Sequence, residues 1–378
     1  MLYWLLDLIE QTFEPPGFGV FSYLTVRSAL AAVTALFMSL VFGKRIIRWL
    51  QRMQLGETIR TDIGLDNHLS KAGTPSMGGL IIILSTVVPA LLWMTPTSPY
   101  MIPIVFVMVS LGAVGFVDDY LKIIKKDKRG LMGRLKIAGQ ISVGLVVASF
   151  LYFHPDFDSY NTLSTVPFMK DTNIDYAFWG ESLGWIFYFP LVIFVITGVS
   201  NAVNLTDGLD GLAAGTSAIA AVALGILAYV SGRVDFSVFL DIMYLPGTGE
   251  LTVFSSALVG ACFGFLWYNT YPAEVFMGDT GSLALGGTIA ALALMVHKEL
   301  LLPVLCGVFF IETLSVIMQT SWFKFTKHTR GEGQRLFLMA PIHHHFEKKG
   351  WAEPKIVVRF WIIAILLAIF TIITLKLR

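Results

Sequence analysis

NAVNLTDGLDGLAAG, residues 201–215, is the stretch around which the chain is organised, because it places two asparagines and two aspartates between long apolar segments. If the stretch is helical, Asn201, Asn204, Asp207 and Asp210 recur every three residues and form a polar stripe suited to a cation or a phosphate. The alternative is a solvated turn between two helices, since Asn, Asp and Gly are also the usual turn residues. The stretch alone leaves both interpretations open.

The composition of the chain defines its class. Of its 378 residues, 55% are hydrophobic and only 14% are charged, and the mean hydropathy is +0.71. A soluble protein of this size is much less apolar, so we predict a polytopic membrane protein that has the lipid bilayer as its partner. The net charge of +1 gives no reason to expect a nucleic-acid partner. Cys262 and Cys306 lie in apolar segments, so neither a disulfide framework nor a cysteine metal site is expected.

Ten apolar runs are long enough to cross the hydrocarbon core, which takes about 17 to 25 helical residues. Because backbone polar groups in lipid must be satisfied within their own segment, these runs predict an all-α bundle, a single membrane domain over residues 1–378. Residues 2–13 are predicted to form a short interfacial helix rather than a signal peptide, since they carry Asp7 and Glu10. The ten runs lie near residues 22–43, 77–94, 100–117, 137–153, 185–203, 211–230, 251–271, 281–297, 300–323 and 356–375.

Lysine and arginine predict the orientation. Residues 44–71, 122–136 and 324–359 hold 21 of the 27 positive residues, so the positive-inside rule places these connections in the cytoplasm and both termini on the outer, periplasmic side. All the acidic, amide and histidine clusters then share the cytoplasmic face, which we predict to be the active-site face. The loops of that face lie near residues 44–76, 118–136, 201–210, 268–282 and 324–355.

Two adjacent carboxylates, Asp118 and Asp119, follow the apolar run VSLGAVGFV directly. Adjacent acids repel each other, and a divalent cation, a proton or nearby lysines would relieve that repulsion. The alternative is a solvated helix end followed by a basic run that serves as a topology signal.

The segment NTYPAEVFMGDTGS, residues 269–282, places Asp279 just before another apolar run. Asp279 is suited to be a helix N-cap. The same position also suits a carboxylate that holds magnesium against a phosphate bound at the helix N-terminus. Phe276 is a candidate for stacking on a planar base, or an aromatic residue at the membrane interface.

Three further features are candidates for the site. PIHHHFE, residues 341–347, contains three consecutive histidines, which converge poorly on one metal ion but suit contacts with phosphates. KAGTPSMGG, residues 71–79, offers Lys71 and a glycine-bearing turn before a span. Glu312 lies well inside an apolar run, where an acid indicates either a function or a bond between neighbouring helices.

Together these clusters indicate magnesium-dependent phosphoryl transfer, which needs positioning, cations and carboxylates rather than much covalent chemistry. Their predicted place at the membrane surface implies a lipid phosphate as one substrate and a soluble cytosolic donor as the other. A transporter is the rival interpretation. Transporters place polar groups near the bilayer midplane within repeated halves, whereas here only Glu312 lies deep and no repeat is evident.

The motifs resemble those of one family. KAGTPSMGG at 71–79, GFVDDYLK at 115–122, NAVNLTDGLDGLAAG at 201–215, NTYPAEVFMGDTGSLALGG at 269–287 and APIHHHFE at 340–347 are similar to the bacterial phospho-N-acetylmuramoyl-pentapeptide transferases. These belong to the polyprenyl-phosphate N-acetylhexosamine-1-phosphate transferase superfamily. The aspartate motifs point to the superfamily, while the triple histidine and KAGTPSMGG favour the muramoyl-pentapeptide branch over the N-acetylglucosamine branch.

The resemblance implies an activity. It is transfer of phospho-N-acetylmuramoyl-pentapeptide from its UDP donor to undecaprenyl phosphate, giving lipid I and UMP, with Mg²⁺ as cofactor, in the bacterial cytoplasmic membrane. The resemblance also implies a homodimer. Direct attack by the lipid phosphate and a covalent enzyme intermediate both stay open.

The resemblance also implies roles for residues. Asp279 is expected to be the principal magnesium ligand, and Asp118, with Asp119 beside it, is expected to handle the lipid phosphate and is the candidate base. His344 is the fourth catalytic candidate. The substrate-binding candidates are Lys71, Asn201, Asn204, Asp207, Leu209, Asp210, Asn269, Phe276, His343 and His345.

Overall fold

The computed structural model describes residues 1–53, 73–123, 125, 130–158, 160–169, 172–178, 180 and 183–376. It is a bundle of α-helices with a small antiparallel hairpin. The helices are α1 (Leu2–Phe13), α2 (Leu24–Arg52), α3 (Gly79–Trp93), α4 (Met101–Ile123), α5 (Gly133–Phe153), α6 (Trp185–Thr206), α7 (Leu212–Ser231), α8 (Val234–Leu240), α9 (Gly249–Asn269), α10 (Gly278–Met295), α11 (Leu302–Leu305), α12 (Gly307–Arg330), α13 (Ile342–Lys348) and α14 (Glu353–Ile373). The strands are β1 (Leu163–Thr165) and β2 (Asn173–Asp175), with Ser164 opposite Ile174.

The all-α membrane class is confirmed, whereas the count of ten spans is not. Among the described residues, seven helices are long and apolar enough to cross a bilayer, and a bent pair, Glu299–Leu305 with Gly307–Arg330, makes up to eight. Two of the predicted runs correspond instead to α3, an apolar helix of 15 residues, and to α10, a helix of 18 residues. The sides of the termini stay a prediction.

Helix α10 has smaller side chains than the candidate spans because protein rather than lipid surrounds it. Its sequence, GDTGSLALGGTIAALALM, is rich in glycine and alanine, and every residue from Thr280 to Met295 is buried. Small side chains allow backbones to approach closely, which is how helices associate where water supplies no hydrophobic driving force. Helices α3, α4, α6 and α7 pack around α10, and its N-terminus is therefore a fixed point inside the bundle.

The last fifth of the chain, from Glu299 onward, is built differently. The axis bends by 78° at the break between α11 and α12, and most of α12 lies exposed, with only six of its 24 residues buried. Helix α12 contacts α6, α13 and α14. This arrangement brings the short helix α13, which carries the three histidines, against Gly208 in the turn that follows α6.

The opening stretch proves to be both a helix and a turn. Asn201 and Asn204 lie in the last turns of α6, which ends at Thr206, and α7 begins at Leu212. Between them the chain turns at Gly211, whose φ of +81° is in the left-handed region that glycine tolerates best. The two interpretations left open by the sequence each describe one half of the stretch.

The helix that the sequence predicts over residues 2–13 is confirmed. It coincides with α1, and none of its residues is buried. Its position at a membrane interface stays a prediction.

Candidate active site

The site is organised by a close contact between α4 and the N-terminus of α10. A Cβ added to Gly115 of α4 would lie only 2.1 Å from the carbonyl oxygen of Asp279. A Cβ added to Gly79 of α3 would lie 2.1 Å from the nitrogen of Gly281. Three helices therefore meet at backbone distance around the first turn of α10.

Asp119, which lies on the neighbouring helix α4, accepts hydrogen bonds from the N-terminus of α10. Its Oδ1 accepts a hydrogen bond from the Asp279 amide at 3.1 Å. Its Oδ2 accepts from the amide and the hydroxyl of Thr280, at 2.9 and 2.6 Å. A carboxylate at a helix N-terminus satisfies amides that have no partner within the helix and interacts favourably with the helix dipole. Asp119 is 4% exposed, so we assign it to holding α10 in place.

Asp118 and Asp279 face a pair of lysines. Lys122 Nζ lies 2.8 Å from Asp118 Oδ2 and 2.8 Å from Asp279 Oδ2. Lys136 Nζ lies 2.9 Å from Asp279 Oδ2 and 3.6 Å from Asp118 Oδ2. The Leu131 amide donates to Asp118 Oδ1 at 2.6 Å. The two ammonium groups thus offset the charge of Asp118, so nearby lysines, one of the three explanations the sequence left open, account for one of the two adjacent acids, while the N-terminus of α10 offsets the charge of Asp119.

The asparagines of α6 differ in their contacts. Asn204 Nδ2 donates to Asp279 Oδ1 at 2.6 Å and to Ser282 Oγ at 2.8 Å, so Asn204 belongs to the carboxylate cluster. Asn201 Nδ2 donates to Gln140 Oε1 at 2.9 Å and to the Thr197 carbonyl at 2.8 Å. Asn201 therefore ties α6 to α5, one turn behind the cluster.

The turn after α6 is held by its own polar side chains. The Ala273 amide donates to Asp210 Oδ2 at 3.1 Å. The Gly211 amide donates to Asn269 Oδ1 at 3.0 Å, and Asn269 Nδ2 donates to the Val275 carbonyl at 2.8 Å. Leu209 is buried in a small apolar cluster with residues of α14. These contacts bring the 207–211 turn and the 269–276 segment together, as the motif prediction required.

Phe276 lies on the same segment and is half-buried. Its amide donates to the Pro75 carbonyl at 2.9 Å, and its carbonyl accepts from the Gly78 amide at 2.8 Å. The described part of the KAGTPSMGG motif therefore packs beside the site, while Lys71 lies outside the described residues.

The three consecutive histidines point in different directions, as expected for a helix. His343 is fully buried, with Nδ1 3.1 Å from Glu312 Oε2. His344 Nδ1 lies 2.5 Å from Glu347 Oε2. His345 Nδ1 accepts a hydrogen bond from the Leu338 amide at 3.1 Å. Burial, with Lys349 nearby, lowers the pKa of His345 and so favours the neutral ring that this hydrogen bond needs.

Two important residues escaped the sequence reasoning. Lys136 stood in a run of basic residues that was interpreted as a topology signal, yet it contacts Asp279. Glu353 stands at the start of an apolar helix, a common place for an acid, yet its Oε1 accepts from the Asp210 amide at 2.7 Å. Spacing in the sequence gives no signal for either contact, because both join segments far apart in the chain.

No group of three or more His, Cys, Asp or Glu side chains among the described residues converges as a ready-made metal site. Magnesium does not require one, since it commonly binds through one or two carboxylates, several waters and substrate phosphates. Asp118 and Asp279 both reach the Lys122 ammonium at 2.8 Å, so a cation already lies between these carboxylates. The donor set therefore fits a divalent ion.

The bundle and its carboxylate cluster can be compared with known proteins. A model described as glycosyl transferase family 4 matches residues 101–297, which include the whole carboxylate and lysine cluster. The chain is therefore a multi-pass membrane protein of glycosyl transferase family 4.

A narrower assignment follows from a signature and from full-length relatives. Phospho-N-acetylmuramoyl-pentapeptide-transferase signature 1 matches residues 71–83. Proteins named phospho-N-acetylmuramoyl-pentapeptide-transferase from Flavobacterium psychrophilum and Salinibacter ruber are 52% and 54% identical to this chain, and each comparison covers 100% of both chains. A protein of the same name from Chloroherpeton thalassium is 52% identical over 378 residues, again 100% of both chains. This chain belongs to the phospho-N-acetylmuramoyl-pentapeptide-transferase family.

Proposed function

We propose that this protein transfers phospho-N-acetylmuramoyl-pentapeptide from its UDP donor to undecaprenyl phosphate, forming lipid I and UMP in peptidoglycan synthesis. The observation that carries the proposal is the cluster of Asp118, Asp279, Asn204, Lys122 and Lys136 at adjoining helix ends. Positioned cations and carboxylates are what phosphoryl transfer requires of a protein. Full-length relatives at more than 50% identity support the choice of substrates.

Magnesium is the proposed cofactor, with Asp279 as its main ligand. When bound, the ion would neutralise charge on the phosphate oxygens of the donor. Asp279 is suited to this role because Asp119 fixes its backbone and Asn204 holds its Oδ1, which leaves Oδ2 facing the lysines. Lys122 and Lys136 are proposed to turn from the carboxylates toward the phosphates.

In the proposed reaction an oxygen of the lipid phosphate bonds to the phosphorus that carries the sugar, and the bond from that phosphorus to UMP breaks. UMP leaves as a phosphate, whose charge Lys122 and Lys136 are placed to stabilise. Asp118 is proposed to accept a proton from the lipid phosphate where that phosphate is still protonated. Asp119 keeps α10, and with it Asp279, in register. His344, beside Glu347, is proposed to border the donor phosphates or sugar.

The donor pocket is proposed to be formed by the other predicted residues except Asn201, which ties α6 to α5, and His343, which is fully buried. The 207–211 turn and the 269–276 segment face each other through Asp210, Asn269 and Gly211, and Phe276 borders the described end of the KAGTPSMGG motif. We propose that the uridine binds between these segments, with Lys71, Asn204, Asp207, Leu209 and the outer histidine His345 around it.

One experiment tests the activity and the choice of donor together. Purified protein is incubated with undecaprenyl phosphate, magnesium and either UDP-N-acetylmuramoyl-pentapeptide or UDP-N-acetylglucosamine, and UMP release is measured. We expect turnover of the first donor only. Turnover of only the second would assign the protein to the N-acetylglucosamine branch, and flux of the nucleotide sugar into sealed vesicles without UMP would make it a transporter.

A second experiment separates direct attack from a covalent intermediate. Direct attack predicts that both substrates must be bound before UMP is released, so initial-rate lines intersect. A ping-pong pattern, or a phosphosugar–protein adduct trapped in the absence of lipid phosphate, would contradict direct attack.

The protein is proposed to lie in the bacterial inner membrane with this site facing the cytoplasm, because Lys122 and Lys136, which bound one of the connections rich in lysine and arginine, lie in the site. Single cysteines introduced by Glu332→Cys, in the connection between α12 and α13, and Asp235→Cys, in the connection between α7 and α9, form a matched pair of exposed positions. A membrane-impermeant thiol reagent should label position 235 in intact spheroplasts and position 332 only after lysis. The reverse result would invert the orientation. The proposed homodimer predicts twice the monomer mass in mild detergent.

A further inference from the structure

A buried acid–imidazole pair joins α12 to α13 beside the site. Glu312 of α12 and His343 of α13 are both 0% exposed. The carboxylate oxygen Oε2 of Glu312 lies 3.1 Å from Nδ1 of the ring and 3.4 Å from the backbone nitrogen of the same histidine. One carboxylate therefore lies against both the ring and the first turn of α13, although neither ring nitrogen of His343 makes a hydrogen bond with the described residues.

The other edge of the ring rests on the 207–211 turn. A Cβ added to Gly208 would lie 2.3 Å from His343 Nε2 and 2.8 Å from its Cε1. Gly208 does not have a positive φ, so a glycine is required there by the ring rather than by the backbone conformation. The ring of His343 fills the space between Glu312 and the turn.

Three contacts thus fix the same turn from different sides. Glu353 accepts from the Asp210 amide at 2.7 Å, and Asn269 accepts from the Gly211 amide at 3.0 Å. His343 supports the turn at Gly208, and it is the contact that depends on a carboxylate buried in an apolar helix. Burying a carboxylate is costly compared with an apolar side chain of similar size, so its presence indicates a positioning role.

We propose that Glu312 and His343 act as a positioning pair that sets the 207–211 turn for binding of the nucleotide-linked donor. Neither side chain touches the donor in this proposal, since both are fully buried. The role rests on the proposed function for the identity of the donor. It predicts that the two residues act as one unit, and that losing either one weakens donor binding and spares binding of the lipid phosphate.

The test measures the KM of each substrate and kcat for Glu312→Ala, His343→Ala and the double variant. We expect the KM for UDP-N-acetylmuramoyl-pentapeptide to rise about tenfold in each single variant, and no further in the double variant, because contacting residues are non-additive. The KM for undecaprenyl phosphate should stay within about twofold. Additive effects in the double variant, or a fall in kcat with both KM values unchanged, would overturn the proposal.

Conservative variants distinguish positioning from a loss of folding. Glu312→Gln keeps an oxygen for His343, so it should restore the donor KM to within about threefold of the wild type. The matched control is Glu250→Gln, the same change in a carboxylate that pairs with Arg27 at 2.8 Å. Glu250 stands at the far end of the 21-residue α9 from Asn269, about 30 Å away. Glu250→Gln should lower thermal stability without changing the donor KM. A rise in its donor KM equal to that of Glu312→Ala would refute a local role for Glu312 at the 207–211 turn.

Gly208→Ala tests the other edge of the ring independently. The added methyl group should push His343 away and raise the donor KM. His343→Asn lacks the ring atoms nearest to Gly208, so Gly208→Ala should cause no further rise in that background. If Gly208→Ala is silent in the wild type, the ring does not support the turn and the proposal is wrong. Wild-type protein that releases no UMP would instead reject the proposed function itself.

Discussion

Gly115→Ala is the substitution that most directly tests how the site is built. Alanine favours a helix over glycine by about 1 kcal/mol, so any loss must come from the contact with α10. The added methyl carbon would lie 2.1 Å from the Asp279 carbonyl oxygen, whereas ordinary contact begins at about 3.4 Å. Helices α4 and α10 must therefore separate by about 1.3 Å at this point.

A displacement of that size acts on the contacts beside it. The hydrogen bonds from Thr280 to Asp119, now 2.6 and 2.9 Å long, would stretch beyond bonding distance. Overpacking costs about 1–3 kcal/mol, and lost hydrogen bonds to a charged group cost about 1.5–3 kcal/mol. After the helix gain is subtracted, we expect the free energy of unfolding to fall by about 2–4 kcal/mol. Because Asp279 moves with α10, UMP release should fall about 100-fold.

The assay is UMP release at saturating substrates, with thermal unfolding followed in the same detergent. Gly198→Ala is the matched control, since it makes the same change in α6 at a position where the added Cβ meets no atom within 4 Å. It should leave the rate unchanged and stability equal or slightly higher. Wild-type rate and stability in Gly115→Ala would refute the conclusion that this backbone contact positions Asp279.

Three further predictions concern other parts of the molecule. Asp279→Asn should lower UMP release about a thousandfold, equivalent to about 4 kcal/mol. Its thermal stability should change little, because Asp118 still pairs with Lys122. Near-normal turnover at any magnesium concentration would show that Asp279 is not a magnesium ligand. Asp119→Asn should lower the free energy of unfolding by about 2–4 kcal/mol, because one oxygen that accepts two hydrogen bonds becomes a donor; unchanged thermal unfolding would contradict this. Burial, with Lys349 nearby, lowers the pKa of His345, outside the spans, below its ordinary value of 6.5. Folded protein then binds the proton less tightly than unfolded protein does, so stability should decline as the pH falls below about 6.5, and His345→Gln should flatten that dependence in unfolding measured between about pH 5 and 7.5.

The sequence predicted much of the site because its chemistry lies in compact motifs. Asp118, Asn204 and Asp279 were identified from polar residues at the ends of apolar runs, and the structure brings all three into one cluster. The different contacts of the adjacent acids Asp118 and Asp119 could not be predicted from the sequence. Asp119 and Asp118 differ by about 100° around the helix, so one faces the N-terminus of α10 and the other faces the lysines.

The span count shows a different limit. Hydropathy identifies helices that face lipid, and it therefore works for α2, α4 and α14, since less than half of each apolar stretch is buried inside the protein. Helix α10 is enclosed by protein, so its sequence reflects close packing rather than lipid contact. A count based on apolarity is least reliable for the central helix that carries Asp279.

The sequence by itself determined the membrane class, the family and the segments that carry the chemistry, because apolar runs and local motifs depend only on neighbours along the chain. Tertiary structure alone decided which side chains meet. Lys136 with Asp279, Glu353 with the Asp210 amide, and Glu312 with His343 each join segments at least 31 residues apart. The reason is physical: once α10 is buried among its neighbours, helix packing sets these distances, and no spacing in the sequence encodes them.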